Sequence, residues 1–179
     1  LYSIMNIGLL YNKNVFFEKT LKGVPVGALQ FLKENKLEGN IFAPFHISGL
    51  IAYRYYPNLK IYMDGRQEQV YPYEIFEREM NFLDLKTLDS YKILEQYKTD
   101  IVLIEKEREA CEVLKSEQKY FKPVLENEGY ILFLSPELYR KLRYTDYKKQ
   151  KLNKFGDFTP QNFFDTRLKF TQKQYKNIK

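Results

Sequence analysis

The 179-residue chain contains one cysteine, one histidine and no tryptophan. A lone Cys111 excludes an intramolecular disulfide and any cysteine-based zinc site. A lone His46 leaves no histidine cluster for a metal centre, so no metal is expected. No apolar run approaches the roughly 18 residues that span a bilayer, and no basic start followed by an apolar centre marks a secretory leader. Also missing are G-x-G-x-x-G after a strand, the phosphate-loop G-x-x-x-x-G-K, H-E-x-x-H and the G-x-S-x-G nucleophile elbow. Their absence weakens the case for a nucleotide-dependent or hydrolytic enzyme; no cofactor and no catalytic residue are expected.

What is present starts with aromatic rings. Tyr and Phe alone make up 17% of the chain, and tyrosine carries apolar area with a polar tip. The length suits one domain with a small appendage and can bury a real core. Net charge is +6 but uneven. Residues 140–179 hold twelve Lys/Arg against Asp146, Asp157 and Asp165, a balance of +9, while residues 1–139 stand at −3. The basic character belongs to the tail.

Along the chain, residues 1–22 read as an irregular connector with one short strand. "VPVGALQFLKEN" reads as a helix, with Pro25 in its first turn and Pro25, Ala28, Leu29 and Leu32 on one face. Gly39 is expected to end that helix in a left-handed conformation. "IFAPF" is a buried strand candidate and "SGLIAYRYY" a helix, with Ser48 as N-cap. Pro57-Asn58 stops the helix, and "LKIYMD" forms the second strand. Two helical segments follow, "YPYEIFEREMNFL" with Phe76, Met80 and Leu83 facing inward, and "TLDSYKILEQYK" capped by Thr87. "DIVLIE" is the clearest strand, its unbroken apolar run matching a strand covered on both faces. "KEREACEVLKSEQ" is a helix burying Ala110, Val113 and Leu114, with Cys111 buried and inert. "YFKPVLENEGYILFLS" reads as a hairpin, and "SPELYRKL" as a last helix capped by Ser135.

This order predicts an α/β fold over residues 23–145: a layered, Rossmann-like open sheet, mostly parallel, with an antiparallel hairpin at one edge. Residues 146–179 form a basic, polar extension. In open parallel sheets ligands bind beyond the carboxyl ends of the strands. Those ends supply His46, Asp64, Arg66, Glu105 and Lys106, a set that could take a phosphorylated or sugar ligand, with Arg66 for the anion and Asp64 for hydroxyls or a metal. The plainer reading is structural: Asp64-Gly65-Arg66 caps a turn and pairs internally, and His46 is a surface or capping residue. The Lys/Arg-rich tail with interleaved Tyr and Phe admits a nucleic-acid binder, an anionic membrane surface or a solvated terminus.

The middle of the chain, about residues 20–135, resembles the soluble C-terminal region of bacterial multi-pass membrane proteins of the uncharacterised or glycosyltransferase-like (GT-C) class. The likeness rests on an ordered series: Pro25, Ala28, Phe31 and Leu32; Gly39 and Asn40; Gly49, Tyr53 and Pro57; Asp64, Gly65 and Arg66 with Tyr71 or Tyr73; then Tyr97 and Asp100. Gly49, Gly65 and Pro57 are structural residues in this scheme. The chain departs from the pattern at Ala43-Pro44, where an Asn is usual, and at Ser48, where a first glycine is usual. The resemblance implies a parent with many membrane helices before Leu1, consistent with a start other than Met, and a domain facing the periplasm or exterior. Its partner would be the transmembrane portion of the same polypeptide, with anionic lipid against the tail and nucleic acid not expected. Catalytic carboxylates of such transferases, which use lipid-linked phosphosugars, lie in the membrane portion. The expected role is an accessory one, positioning acceptor or stabilising the membrane part; the alternatives are a ligand-binding enzyme domain using the Asp64/Arg66 rim, and a nucleic-acid binder.

Overall fold

The computed structural model describes residues 23–66, 69–126 and 129–142. The expected connector over 1–22 and the basic extension over 146–179 lie outside the described residues. Five strands form one sheet in the order β2-β1-β3-β5-β4. They are β1 (Gly39–Phe42), β2 (Leu59–Ile61), β3 (Ile101–Glu105), β4 (Lys122–Glu126) and β5 (Tyr130–Leu134). β1 pairs in parallel with both β2 and β3. β5 runs antiparallel to β3, with Ile101 opposite Leu134 and Glu105 opposite Tyr130. The hairpin puts β4 at the sheet edge, where Pro123 and a bulge between Pro123 and Leu125 interrupt regular pairing. Both devices suit an edge strand, which must not offer a clean ladder to another chain.

Among the described residues six helices pack on this sheet: α1 (Val26–Glu34), α2 (Phe45–Tyr55), α3 (Tyr73–Leu83), α4 (Lys92–Gln96), α5 (Glu109–Ser116) and α6 (Pro136–Arg140). A 3-10 turn, Leu88–Tyr91, leads into α4. The period-2 alternation of the strands divides the core. Ile41, Ile101, Leu103, Leu132 and Leu134 pack with α1, α2 and α6. Their chain neighbours Phe42, Val102, Ile104, Ile131 and Phe133 pack with α3, α4 and α5. β3 and β5 are therefore apolar at successive positions because each side chain meets a helix layer on one face or the other. Phe31, Phe42, Phe82 and Phe133 are among the largest fully buried side chains, and burying one such ring contributes about 1.5–3 kcal/mol.

Several boundaries differ from expectation, each for a local reason. α1 ends at Glu34, and the left-handed residue after it is Lys36, with φ 54°. Asn35 seals that end by donating its side-chain N–H to the Phe31 carbonyl at 3.0 Å. Gly39 instead opens β1 at φ +143°, and a Cβ there would overlap the Asp100 side chain. The space is needed because the Asn40 N–H donates to Asp100 Oδ2 at 2.9 Å, and the Asn40 amide donates to the Tyr97 carbonyl at 2.9 Å. This clasp ties β1 to the loop that enters β3.

α2 starts at Phe45, four residues earlier than Ser48 as N-cap would place it. Pro44 supplies the extended entry, and Ser48, fully buried, donates back to the Ala43 and Pro44 carbonyls at 2.9 and 3.1 Å. The helix stops at Tyr55, before a cis Tyr56–Pro57 bond. A Cβ at Gly49 or at Gly65 would meet nothing within 4 Å. In α5 Ala110, Cys111 and Leu114 are buried as expected, while Val113 is only half-buried. Ser135 caps α6 as expected, accepting from the Leu138 N–H at 3.4 Å, with Pro136 at the first helical position.

Candidate functional site

The carboxyl ends of β1, β2 and β3 lie side by side, because β1 sits between the other two. They do not make one cluster of free charges. At the end of β2, Asp64 is nearly buried and grips Arg66. The Arg66 Nε lies 2.9 and 3.0 Å from the two Asp64 oxygens, a second guanidinium nitrogen lies at 2.8 Å, and the Arg66 backbone N–H donates to Oδ1 at 3.1 Å. Four bonds from one neighbour satisfy the carboxylate and hold its pKa below the usual range, chiefly through the Arg66 side chain. Arg66 is raised in turn by the same pairing, with a smaller contribution from the Tyr71 phenol.

At the end of β3 a second network forms. Glu105 Oε2 accepts from Arg108 Nε at 2.7 Å, while Arg108 also reaches Asp84 at 3.0 Å. Glu105 Oε1 lies 3.6 Å from His46 Nε2, and that nitrogen is 3.3 Å from the Tyr130 hydroxyl. The register explains the meeting: Tyr130 stands opposite Glu105 in the sheet, and His46 occupies the first turn of α2. Burial, with Glu105 adding to it, pushes the Tyr130 phenol up to about 12, so it stays a protonated partner for the imidazole. Lys106 turns aside to Glu126 at 2.6 Å. Thus His46 and Glu105 come together, Asp64 and Arg66 come together, and Lys106 joins β4.

Beneath this rim lies a residue that sequence reading missed. Glu79 of α3 is fully buried. One oxygen accepts the Phe45 N–H at 2.8 Å, and the other has no hydrogen-bond partner. Burial pushes its carboxyl up to about 7, against the opposing pull of the Phe45 amide and Arg108. The expected inner face of α3 (Phe76, Met80, Leu83) is rotated: Glu79, Phe82 and Leu83 are the buried positions. The signal was present in the spacing, since Ile75, Glu79, Phe82 and Leu83 follow i, i+4, i+7, i+8, and a carboxylate on an apolar stripe points to a buried role. Arg108, Asp84 and Tyr130 carried no comparable signal.

Among the described residues, no group of three or more His, Cys, Asp or Glu side chains could hold an ion. Cys111 is buried, and burial raises its thiol pKa, which makes it a poor nucleophile. At the opposite, amino end of the strands two clefts open. One, of about 390 Å³, is bounded by the ends of α1 and α2. The other, of about 430 Å³, lies between α4, the end of α5 and the entry to β3. Comparisons of the chain with protein-family models, with curated proteins and with solved structures return no match.

Proposed function

We propose that the chain is a non-catalytic, extracytoplasmic accessory domain of a bacterial, glycosyltransferase-like multi-pass membrane protein, built on a Rossmann-like layered sheet. The single observation that carries the non-catalytic part is the saturation of the strand-end rim. Asp64 is spent on Arg66, Glu105 on His46 and Arg108, and Lys106 on Glu126. A substrate would have to break these pairs before it met a free charge. The membrane context rests on the ordered series from Pro25 to Asp100. Among the described residues no helix is long and apolar enough to cross a membrane, so the spans would belong to the same polypeptide outside them. The basic extension would meet anionic headgroups.

The test uses the natural full-length protein in its own cell. Hydrophobic spans encoded before Leu1, sedimentation with membranes and cleavage of this domain by protease added outside intact spheroplasts are expected. A coding sequence with no such spans, or a domain protected until the membrane is opened, overturns the proposal. A second reading, a ligand-binding enzyme domain using the rim, draws on Glu79, whose free oxygen and near-neutral pKa are properties of many acid–base groups.

A further inference from the structure

The cleft at the entry to β3 differs from the rim in what it leaves unsatisfied. Thr99 and Tyr91 both line it. Thr99 is only 9% exposed, and the Thr99 and Tyr91 hydroxyl oxygens are closed from solvent with no hydrogen-bond partner. An orphaned buried hydroxyl forfeits its hydration without a replacement bond, and native structures hold few of them. Two on one cleft is the kind of exception that calls for an occupant. Burial, with nearby Glu117 adding to it, pushes the Tyr91 phenol up to about 12, so it remains a donor at any physiological pH.

The rest of the lining narrows the chemistry. Leu94 and Phe121 supply buried apolar wall. Tyr120, about half exposed, offers a ring face at the surface. Glu95, Glu117 and Lys98 are exposed around the same cleft, leaving a local balance of −1. A phosphorylated or carboxylated ligand would meet that negative balance. A purely apolar ligand would leave both hydroxyls orphaned. A neutral ring with apolar faces and several hydroxyls satisfies all three parts: its faces lie on Leu94, Phe121 and Tyr120, and its hydroxyls bond Thr99, Tyr91 and the carboxylates. The volume, about 430 Å³, falls within the span of small-molecule sites.

We infer that this amino-end cleft is a binding site for a neutral sugar ring, held by Thr99 and Tyr91 within and by Glu95 and Glu117 at its mouth. The exposed Tyr120, Lys98 and Glu117 side chains move to admit it. The site gives an acceptor-positioning role a place in the fold, yet it stands without the membrane reading.

The experiment is saturation-transfer NMR on the 179-residue chain, with glucose, galactose and N-acetylglucosamine as separate probes and inorganic phosphate and phenol as controls. At least one sugar is expected to give a saturable signal with a Kd in the millimolar range, about −4 kcal/mol. Thr99→Val and Tyr91→Phe should each weaken it about tenfold, and Lys60→Ala, outside the cleft lining, should not. Circular dichroism reports whether each variant folds; if one does not, the other still decides. Absence of a sugar signal, a signal only from phosphate or phenol, or equal affinity in the folded variants overturns the inference. Sugar binding by a chain whose gene lacks membrane spans would remove the proposed function and keep this site; spans without sugar binding would do the reverse.

Discussion

The two ends of the parallel strands invite opposite conclusions from charge and from hydrogen bonding. The carboxyl-end rim gathers His46, Asp64, Arg66, Glu105, Lys106 and Arg108, yet these side chains are matched within the domain. The amino-end cleft is lined by less charge but holds two hydroxyls without a partner. Charge density marks where polar residues are tolerated. Unmet hydrogen-bonding capacity marks where something is missing, because a buried polar group pays the full desolvation cost when left alone. The topology argument that ligands sit beyond the carboxyl ends therefore locates the rim without making it a site.

The largest effect should come from the clasp that shapes the cleft's neighbouring loop. Gly39→Ala must adopt φ +143° and push a methyl group into Asp100, which holds Asn40 and so the Tyr97–Asp100 loop. A cost of about 3 kcal/mol is expected from strain and displacement together, read as a fall in the urea midpoint. If sugar binding to the folded fraction survives unchanged, loop and cleft are independent and the comparison between the two ends loses its structural basis.

Glu79 sharpens the rim side. Its carboxyl is raised from the ordinary 4.5 to about 7, so between these values the folded chain keeps a proton that the unfolded chain has lost. The native state then binds more protons, and stability falls as pH rises through this window. The stabilising proton is fully in place below about 4.5 and lost above about 7, with a total of about 3 kcal/mol at stake. Arg108 and Glu105 are the charged groups that act on it. Glu79→Gln keeps an acceptor for Phe45 and should be more stable than the parent at pH 8, with little difference at pH 4. Denaturant melts at the two pH values check this. A parent chain more stable at pH 8 than the variant would mean that Arg108 moves to the buried carboxylate, and that the rim is less closed than described.

Much of this architecture could be read from residues alone. β3 announced itself as an unbroken apolar run, β4 and β5 as a hairpin, and α1 as a stripe of Ala28, Leu29 and Leu32. The rim residues could be named because each follows a strand directly. The cleft could not, since Tyr91, Thr99 and Tyr120 come from three separate turns and meet only after the sheet forms. Helix starts were misplaced where proline set the entry: Pro44, not Ser48, begins α2. Gly39 was rightly singled out for its backbone but for the wrong task, because its need for space arises from Asp100, 61 residues further along.

On the cleft side, Thr99→Val replaces an unpartnered hydroxyl by a methyl group of similar shape. With no bond to lose, the variant should match or exceed the parent by up to about 1 kcal/mol. The same change that weakens sugar binding would then stabilise the empty chain, a trade-off that a purely structural hydroxyl would not show. A clear loss of stability would mean that Thr99 has a partner of its own in solution, which removes the reason to look for a ligand there.

The smallest effect is expected at the residues that look most chemical. Three guanidinium contacts join Arg66 to Asp64, but the Arg66 side chain is 60% exposed, and solvent-exposed ion pairs contribute little. Arg66→Ala leaves Asp64 the residue-66 backbone N–H at 3.1 Å, so the turn keeps part of its tie and the urea midpoint should barely move. Asp64→Ala frees an exposed guanidinium, which water can solvate. Neither change should alter the sugar response, because Asp64 and Arg66 do not line the amino-end cleft. The informative result is a thermal shift measured with phosphate and with sugar on both variants. If either ligand raises the melting temperature of the parent and fails to do so in folded Asp64→Ala or Arg66→Ala, the pair is a ligand site, and the rim rather than the cleft is where the domain does its work.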